Sequence, residues 1–328
     1  MELILSNAGS YPRIGDSPEL QQHRKAYAQR EREEIGEEAF RKVEDEVTAA
    51  VIREQIEAGV ELVTDGQIRW YDPYSHFCRR LEGVEIDGLL RLFDTNFYFR
   101  QPVVKGPIRR RGPILLPEYM FARSVSSRPV KPVLTGPYTL ARGSILNGGY
   151  RSVHSLALAY AQVLAEEVRE LARVGAPLIQ VDEPAILRSP EDLNVLAEAL
   201  VGLAGERGNA KLVLHTSFGD VTPLYRDLQA LPVDVLGLDF TYSPKLPAMI
   251  ADMGSEKSLA LGLIDARNTK LEAAESVFPI LDRVLPVLKT AQAYLTPSCG
   301  LEFLPRDRAR QKLLTMKQLR DAYVGGRR

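Results

Sequence analysis

His215, Asp239 and Cys299 are side chains of metal-ligand type in a chain that has only four histidines and two cysteines. Each follows a short apolar run of strand-like composition, at residues 211–214, 233–238 and 293–296. Imidazole nitrogen, carboxylate oxygen and thiolate sulfur all suit zinc. Three protein ligands with a fourth position open is the pattern of a catalytic zinc site, and such an ion lowers the pKa of an incoming thiol enough to give a nucleophile at neutral pH. Singly, each residue has a plainer reading: a hydrogen-bonded structural His, a small apolar Cys, a helix-capping Asp. Their shared placement at the ends of late strands favours the metal. His23, His76, His154 and Cys78 lie in helical or inserted stretches and are given no role.

For these ends to meet, the strands must be arranged around one mouth. Apolar runs at 3–6, 61–64, 132–135, 178–181, 211–214, 233–238, 259–263 and 293–296 read as eight strands. Helix-period stretches separate most of them: 18–58, 153–174, 190–204 (with Ser189 as N-cap), 222–231, 247–253, 270–288 and 306–323. Eight alternating units in about 300 residues predict an α/β chain folded as a single (β/α)8 TIM barrel over residues 1–328. Periodicity does not show closure, so an open parallel sheet stays as the alternative. Residues 71–113 break the rhythm, with alternating stretches at 93–99 and 103–108, and read as a hairpin-like insertion after the second strand. The basic run Arg109-Arg110-Arg111 reads as a solvated loop.

Barrel chemistry sits at the C-terminal strand ends. The residues there are Asn7, Gly9 and Ser10 after the first strand, Asp65 and Gln67 after the second, Thr135 and Gly136 after the third, and Asp182 and Glu183 after the fourth. His215 and Ser217, Asp239, Asp265 and Arg267, and Ser298 and Cys299 follow in turn.

Bulk composition narrows the function class. With 45% hydrophobic and 26% charged residues and a net charge of −1, the chain has no electrostatic footprint for nucleic acid or a membrane surface, so neither is expected as a partner. No 18-residue apolar run and no basic-then-apolar leader are seen, and two cysteines make no disulfide framework; a reducing cytoplasm is the expected compartment. No Gly-x-Gly-x-x-Gly or P-loop pattern follows a strand, which removes the usual support for dinucleotide or nucleotide binding.

Five stretches occur in a telling order: Asn7-Ala8-Gly9-Ser10-Tyr11-Pro12-Arg13, Leu134-Thr135-Gly136-Pro137-Tyr138-Thr139, Ile179-Gln180-Val181-Asp182-Glu183-Pro184-Ala185, Asp265-Ala266-Arg267-Asn268-Thr269-Lys270 and Pro297-Ser298-Cys299-Gly300-Leu301. Together they resemble the catalytic, C-terminal barrel of cobalamin-independent methionine synthase, nearly end to end. The resemblance implies a methyltransferase that moves a methyl group to a zinc-activated thiol, homocysteine, to give methionine. In that family zinc is held by a His-x-Cys pair, a Glu and a late Cys. His215 and Cys299 match, Ser217 stands where the first Cys would be, and Asp239 stands where the Glu would be. Asp182, Asp239 and Cys299 are thus the expected catalytic residues, and His215, Asp239 and Cys299 the expected ligands. Gly9 and Ser10 match the loop that takes the substrate carboxylate. Asp182 matches one amine-binding acid, and Gln67 stands where the family has a second, a Glu.

Two features bear on the methyl donor. The full-length synthase carries a second, N-terminal barrel for its polyglutamylated folate, and the family places a Trp shortly after the Gly-Pro-x-Thr motif. Residues 140–144 hold no aromatic, and the only tryptophan is Trp70. The expectation drawn from this is a methylcorrinoid protein as donor and partner, with a small-molecule thiol as acceptor. The alternatives are alkyl transfer to a different thiol within the same superfamily, and a non-catalytic barrel acting as a binding protein.

Overall fold

The computed structural model describes residues 1–326 of the 328. Its strands are β1 (Glu2–Leu5), β2 (Leu81–Arg91), β3 (Tyr98–Arg110), β4 (Val133–Thr135), β5 (Ile145–Leu146), β6 (Leu178–Asp182), β7 (Lys211–Thr216), β8 (Val235–Asp239), β9 (Ser258–Ile264) and β10 (Gln292–Pro297). Seven run parallel in the order β1-β10-β9-β8-β7-β6-β4. The gap between β1 and β4 is filled by residues 62–63, which bridge Ser6 on one side and Val130 on the other. The second predicted strand is therefore present as two bridges, and with it the structure is an α/β fold of (β/α)8-barrel type.

The interior is layered. Side chains alternate along each strand, so residues two apart point the same way. Leu62, Val213, Val235, Ala260 and Tyr294, with Ile4 and Leu178, pack into an apolar plug at the bottom. One step up each strand the interior turns polar, with Gln180, His215 and Thr296 all buried. A second, larger core lies between the strands and the surrounding helices. The helix Val153–Arg173 shows why such segments dock: Leu156, Tyr160, Leu164, Val168 and Leu171 form one buried stripe, Ser152 and Ser155 close a capping box, and Gly175 leaves the helix at φ +85°.

The insertion is an antiparallel pair, β2 with β3, extended by β5 alongside β3. Its strands differ from the expected alternating stretches, because residues 93–97 form the turn: Phe93 has φ +49°, and the Leu92 amide donates to the Phe97 carbonyl at 2.8 Å. Arg110, read as part of a solvated loop, instead ties the end of β3 to the barrel. It bonds Glu167 at 2.5 Å and Glu170 at 2.6 Å. The fully buried Glu167 carboxylate also accepts from the Ile114 and Leu115 amides, each at 2.9 Å.

The helical forecast needs two further corrections. Residues 18–58 are not one helix: a 3-10 turn and the helix Gln22–Glu31 are separated from Glu37–Glu57 by a turn in which Glu33 has φ +58°. Ser189 makes no capping bond, and the helix there, Leu193–Glu206, starts after a further 3-10 turn. Two helices, Leu116–Val125 and Pro137–Gly143, lie in stretches with no predicted element.

Candidate active site

A pocket of about 580 Å³ opens at the C-terminal mouth. It gathers Gly9, Ser10, Gln67, Asp182, His215, Ser217 and Cys299, residues contributed by the ends of β1, the 62–63 bridge segment, β6, β7 and β10. Asp239 is not among its lining residues.

The early strands present their groups on a rigid backing. Asn7 donates to the Gln55 side chain at 3.0 Å and to Thr64 Oγ1 at 3.2 Å, and Gln55 in turn donates to the Thr64 carbonyl at 2.9 Å. This buried network locks the 7–11 loop to the 64–67 turn, and the Tyr11 amide completes the tie to the Gly66 carbonyl at 2.9 Å. Gly66 and Gln67 both adopt positive φ, +71° and +54°. That turn lays the Gln67 side chain over Gly9. A non-glycine residue in the left-handed region costs free energy and is found where a site needs the placement. Gly300 is required for a different reason, close approach: a Cβ there would run into the Ser10 hydroxyl.

Asp182 and Glu183 are adjacent and serve different ends. Glu183 is fully buried and caps the helix Pro137–Gly143, accepting from the Tyr138 amide at 2.9 Å and from the Thr139 amide at 2.7 Å and hydroxyl at 2.6 Å. It has no path to a ligand. Asp182 is 30% exposed at its side chain and opens toward the pocket. Its Oδ1 accepts from Gln180 at 2.7 Å. Burial raises its carboxyl to about 7, with Gln180 and Lys131 pulling the other way.

His215 projects into the barrel because β8 carries Gly237 opposite it; a Cβ there would sit 2.5 Å from His215 Cδ2. Burial pushes the imidazole down to about 3, so it is neutral at physiological pH. Nδ1 faces Asp182 Oδ1 at 3.6 Å, while Nε2 is buried with no hydrogen-bond partner among the described residues. A carboxylate beside Nδ1 favours the tautomer protonated there and leaves the Nε2 lone pair available. Cys299 lines the same pocket, and burial raises its thiol well above the usual value, with Asp239 adding to the effect.

Asp239 is held elsewhere. It accepts from the Thr241 amide at 2.9 Å and hydroxyl at 2.5 Å, and Phe218 N lies 3.4 Å from its second oxygen. Among the described residues no group of three or more His, Cys, Asp or Glu side chains is arranged to hold a metal ion. The expected three-ligand set is thus brought together only in part: His215 and Cys299 share the pocket, and Asp239 fixes the turn beside it. Within the pocket, the His215 imidazole with its orphaned Nε2 and the Cys299 thiol are two donor groups of a type that zinc accepts.

Three features were missed by reading the sequence. Glu302, whose side chain is 18% exposed, lines the pocket, lies beside Ser10 and stands 4.0 Å from Arg13. Burial raises its carboxyl. It follows the Pro-Ser-Cys-Gly-Leu stretch directly, which was the available signal. The aromatic wall was also missed. Phe93 at the hairpin tip stacks on Phe218 at 5.2 Å, Phe218 meets Phe303 at 5.7 Å, and Phe97 meets Phe303 at 4.9 Å. Trp70, 4% exposed, lines the pocket too. Distant segments supply these rings, so no local motif marks them. The third is Lys131, a buried cation beneath the pocket.

Fold and pocket are those of a (β/α)8-type barrel with a cleft where its strands end. Residues 6–321 match the family described as cobalamin-independent synthase, catalytic domain. The methionine synthase of Sulfolobus acidocaldarius is 34% identical over 317 residues, covering 94% of this chain and 88% of that protein. That of Saccharolobus solfataricus is 34% identical over 284 residues, 85% of this chain and 83% of that one. The structure of a B12-independent methionine synthase from a Shewanella species, in complex with selenomethionine, superposes with a TM-score of 0.82 at 22% identity over 99% of both chains. One from Listeria monocytogenes, described as putative, gives 0.74 at 18% identity over 97% of this chain and 98% of that one. The chain belongs to the cobalamin-independent methionine synthase family and is an enzyme of methyltransferase type.

Membership overturns one expectation. A methylcorrinoid protein was expected as donor and partner, and the family's defining property is independence from cobalamin. The reasons for that expectation also weaken. The two archaeal relatives are matched over most of their length by this single barrel. Residues 140–144 hold no aromatic, yet Trp70, Phe93, Phe218 and Phe303 line the pocket. Among the described residues no helix is long and apolar enough to cross a membrane.

Proposed function

We propose that the protein methylates the sulfur of homocysteine to give methionine, drawing the methyl group from a folate-type donor, as one catalytic unit over residues 1–328 with 71–113 inserted, acting in the cytoplasm. The observation that carries this reading is the buried, unpartnered Nε2 of His215 in a pocket that also holds Cys299 and Asp182.

His215 and Cys299 are the side chains that would hold a zinc ion, and Asp239 could join them only by releasing Thr241 and Phe218. A zinc ion there supplies Lewis acidity that lowers the pKa of an incoming thiol. The rest of the work falls to the chain. The backbone of the Gly9–Ser10 loop receives the substrate carboxylate, the Ser10 hydroxyl being engaged by Glu302. Asp182 receives the ammonium, Gln67 accepts from it, and Glu302 restores the second acid that Gln67 does not provide. The Phe93, Phe218 and Phe303 rings offer a face for a flat heteroaromatic donor and keep water from the reacting sulfur. Fixing donor and acceptor in line contributes the proximity advantage.

Cys299→Ala and His215→Ala test the reading. Each should lose bound zinc and at least about a hundredfold in methyl transfer, since even outer-shell changes at metal sites cost 10–100-fold. Metal analysis of the purified protein and an assay for methionine measure both. Stoichiometric zinc and full turnover in Cys299→Ala would remove the assignment.

A further inference from the structure

Lys131 is a cation that the proposed chemistry does not use. It is 4% exposed, lies just before β4, and points into the barrel beneath the pocket. Its ammonium donates to the Gln180 side-chain oxygen, and to Ser6 Oγ at 3.3 Å. Burying an ammonium is costly unless it is answered by charge or hydrogen bonds. The layer below is closed by apolar side chains, so filling space does not require a lysine.

What the lysine does follows from hydrogen-bond polarity. An ammonium can only donate. The carbonyl end of the Gln180 amide must therefore face Lys131, and its NH2 must point away. That NH2 donates to Asp182 Oδ1 at 2.7 Å and to the Ala8 carbonyl at 2.6 Å. Both are acceptors, so every contact agrees with one orientation. Without the lysine a glutamine amide can turn over, and its oxygen would then face a carboxylate and a carbonyl.

We propose that Lys131 and Gln180 are positioning residues. Through the fixed polarity of the Gln180 amide they hold the Asp182 carboxylate in the orientation that receives the amine of an amino-acid thiol. This rests on the reading of Asp182 as the amine-binding group and adds the device that orients it. Gln180 and Asp182 are two apart on β6 and so share its inner face.

The test compares the dissociation constants of homocysteine and of 4-mercaptobutanoate, which lacks the amine, by calorimetry on the intact protein. Lys131→Met, Gln180→Glu and Gln180→Met are measured beside Asp182→Asn. Wild type should favour homocysteine, and Asp182→Asn should erase most of that preference. The three relay variants should weaken homocysteine by about tenfold, the scale of a charge-assisted hydrogen bond, and leave 4-mercaptobutanoate within about threefold. If Asp182→Asn erases the preference and the relay variants keep it, the relay is overturned and the amine reading stands. If Asp182→Asn itself keeps the preference, the amine reading falls and the relay falls with it. Equal weakening of both thiols in the relay variants makes Lys131 and Gln180 merely structural and overturns the proposal. Should Lys131→Met fail to fold, the two Gln180 variants carry the comparison.

Discussion

The early-strand and late-strand halves of the barrel mouth are built differently. On the early side, Asn7, Gln55 and Thr64 bond one another and Lys131, Gln180 and Asp182 form a donor–acceptor chain; in this network Asn7 Oδ1 finds no partner among the described residues. On the late side, His215 Nε2 and Thr296 Oγ1 are buried without partners among the described residues, and burial holds the Cys299 thiol well above its usual pKa. A polar group left unpaired in a protein interior costs free energy. Apart from that one amide oxygen, the early network is satisfied from its own residues. The late half has a lone pair and a thiol that a cation would satisfy, which is where an activating ion is most useful.

The sharpest way to break this comparison is to make the same substitution on both sides. Gly237→Ala places a methyl 2.5 Å from His215 Cδ2. The imidazole must shift, and a displacement of that kind costs about a hundredfold in rate. We expect kcat/KM and zinc content to fall together. Gly136→Ala drives a methyl into the Glu183 carboxylate and disturbs the helix cap. Loss of charged capping bonds should lower stability by about 3 kcal/mol in a denaturant titration and leave zinc content unchanged. If Gly136→Ala depleted the metal and Gly237→Ala did not, the division would be misdrawn.

Acid should act on the early side first. His23 lies on the helix Gln22–Glu31, on the outside of that half, and is buried against Phe40. Burial, helped by Arg13 and Arg30, holds it near 4, below the ordinary 6.5. The unfolded chain therefore takes the proton first as pH falls. Above pH 6.5 both states are neutral and the group has no effect on stability. Between 6.5 and 4 the folded state loses ground, by about 2 kcal/mol at pH 5. His23→Leu should remove that part of the acid loss, so its melting temperature should decline less than wild type between pH 7.5 and pH 5. Parallel declines would show that His23 titrates normally.

The two halves also differed in how much could be read from residue order. The eight-unit rhythm and the strand-end positions of Gly9, Ser10, Asp182, His215 and Cys299 were legible, because strand period and barrel geometry are local and general. Glu302 and the Phe93–Phe218–Phe303 wall were not, since their meeting depends on how loops after different strands bend. Lys131 was invisible for another reason. Its meaning lies in the polarity of an amide it touches across the barrel, and no spacing encodes that. Asp239 was placed at the right strand end, but its position did not reveal that Thr241, two residues on, would occupy the carboxylate.

The smallest effect tests what joins the halves across the mouth. Asp94, at the tip of the early-side insertion, pairs with Arg267 after β9 at 3.2 Å and accepts from Tyr242 at 2.8 Å. Asp94 is 48% exposed at its side chain, and exposed pairs of this kind contribute under about 1 kcal/mol. Arg267→Ala should therefore shift the unfolding midpoint by less than that and leave kcat within about twofold. Phe93→Ala removes the stack on Phe218 and uncovers the pocket, and should cost more than Arg267→Ala in stability and in donor KM. If Arg267→Ala were the more damaging of the two, the halves would be held by charge rather than by the aromatic contact, and the contact between them would loosen as salt is raised.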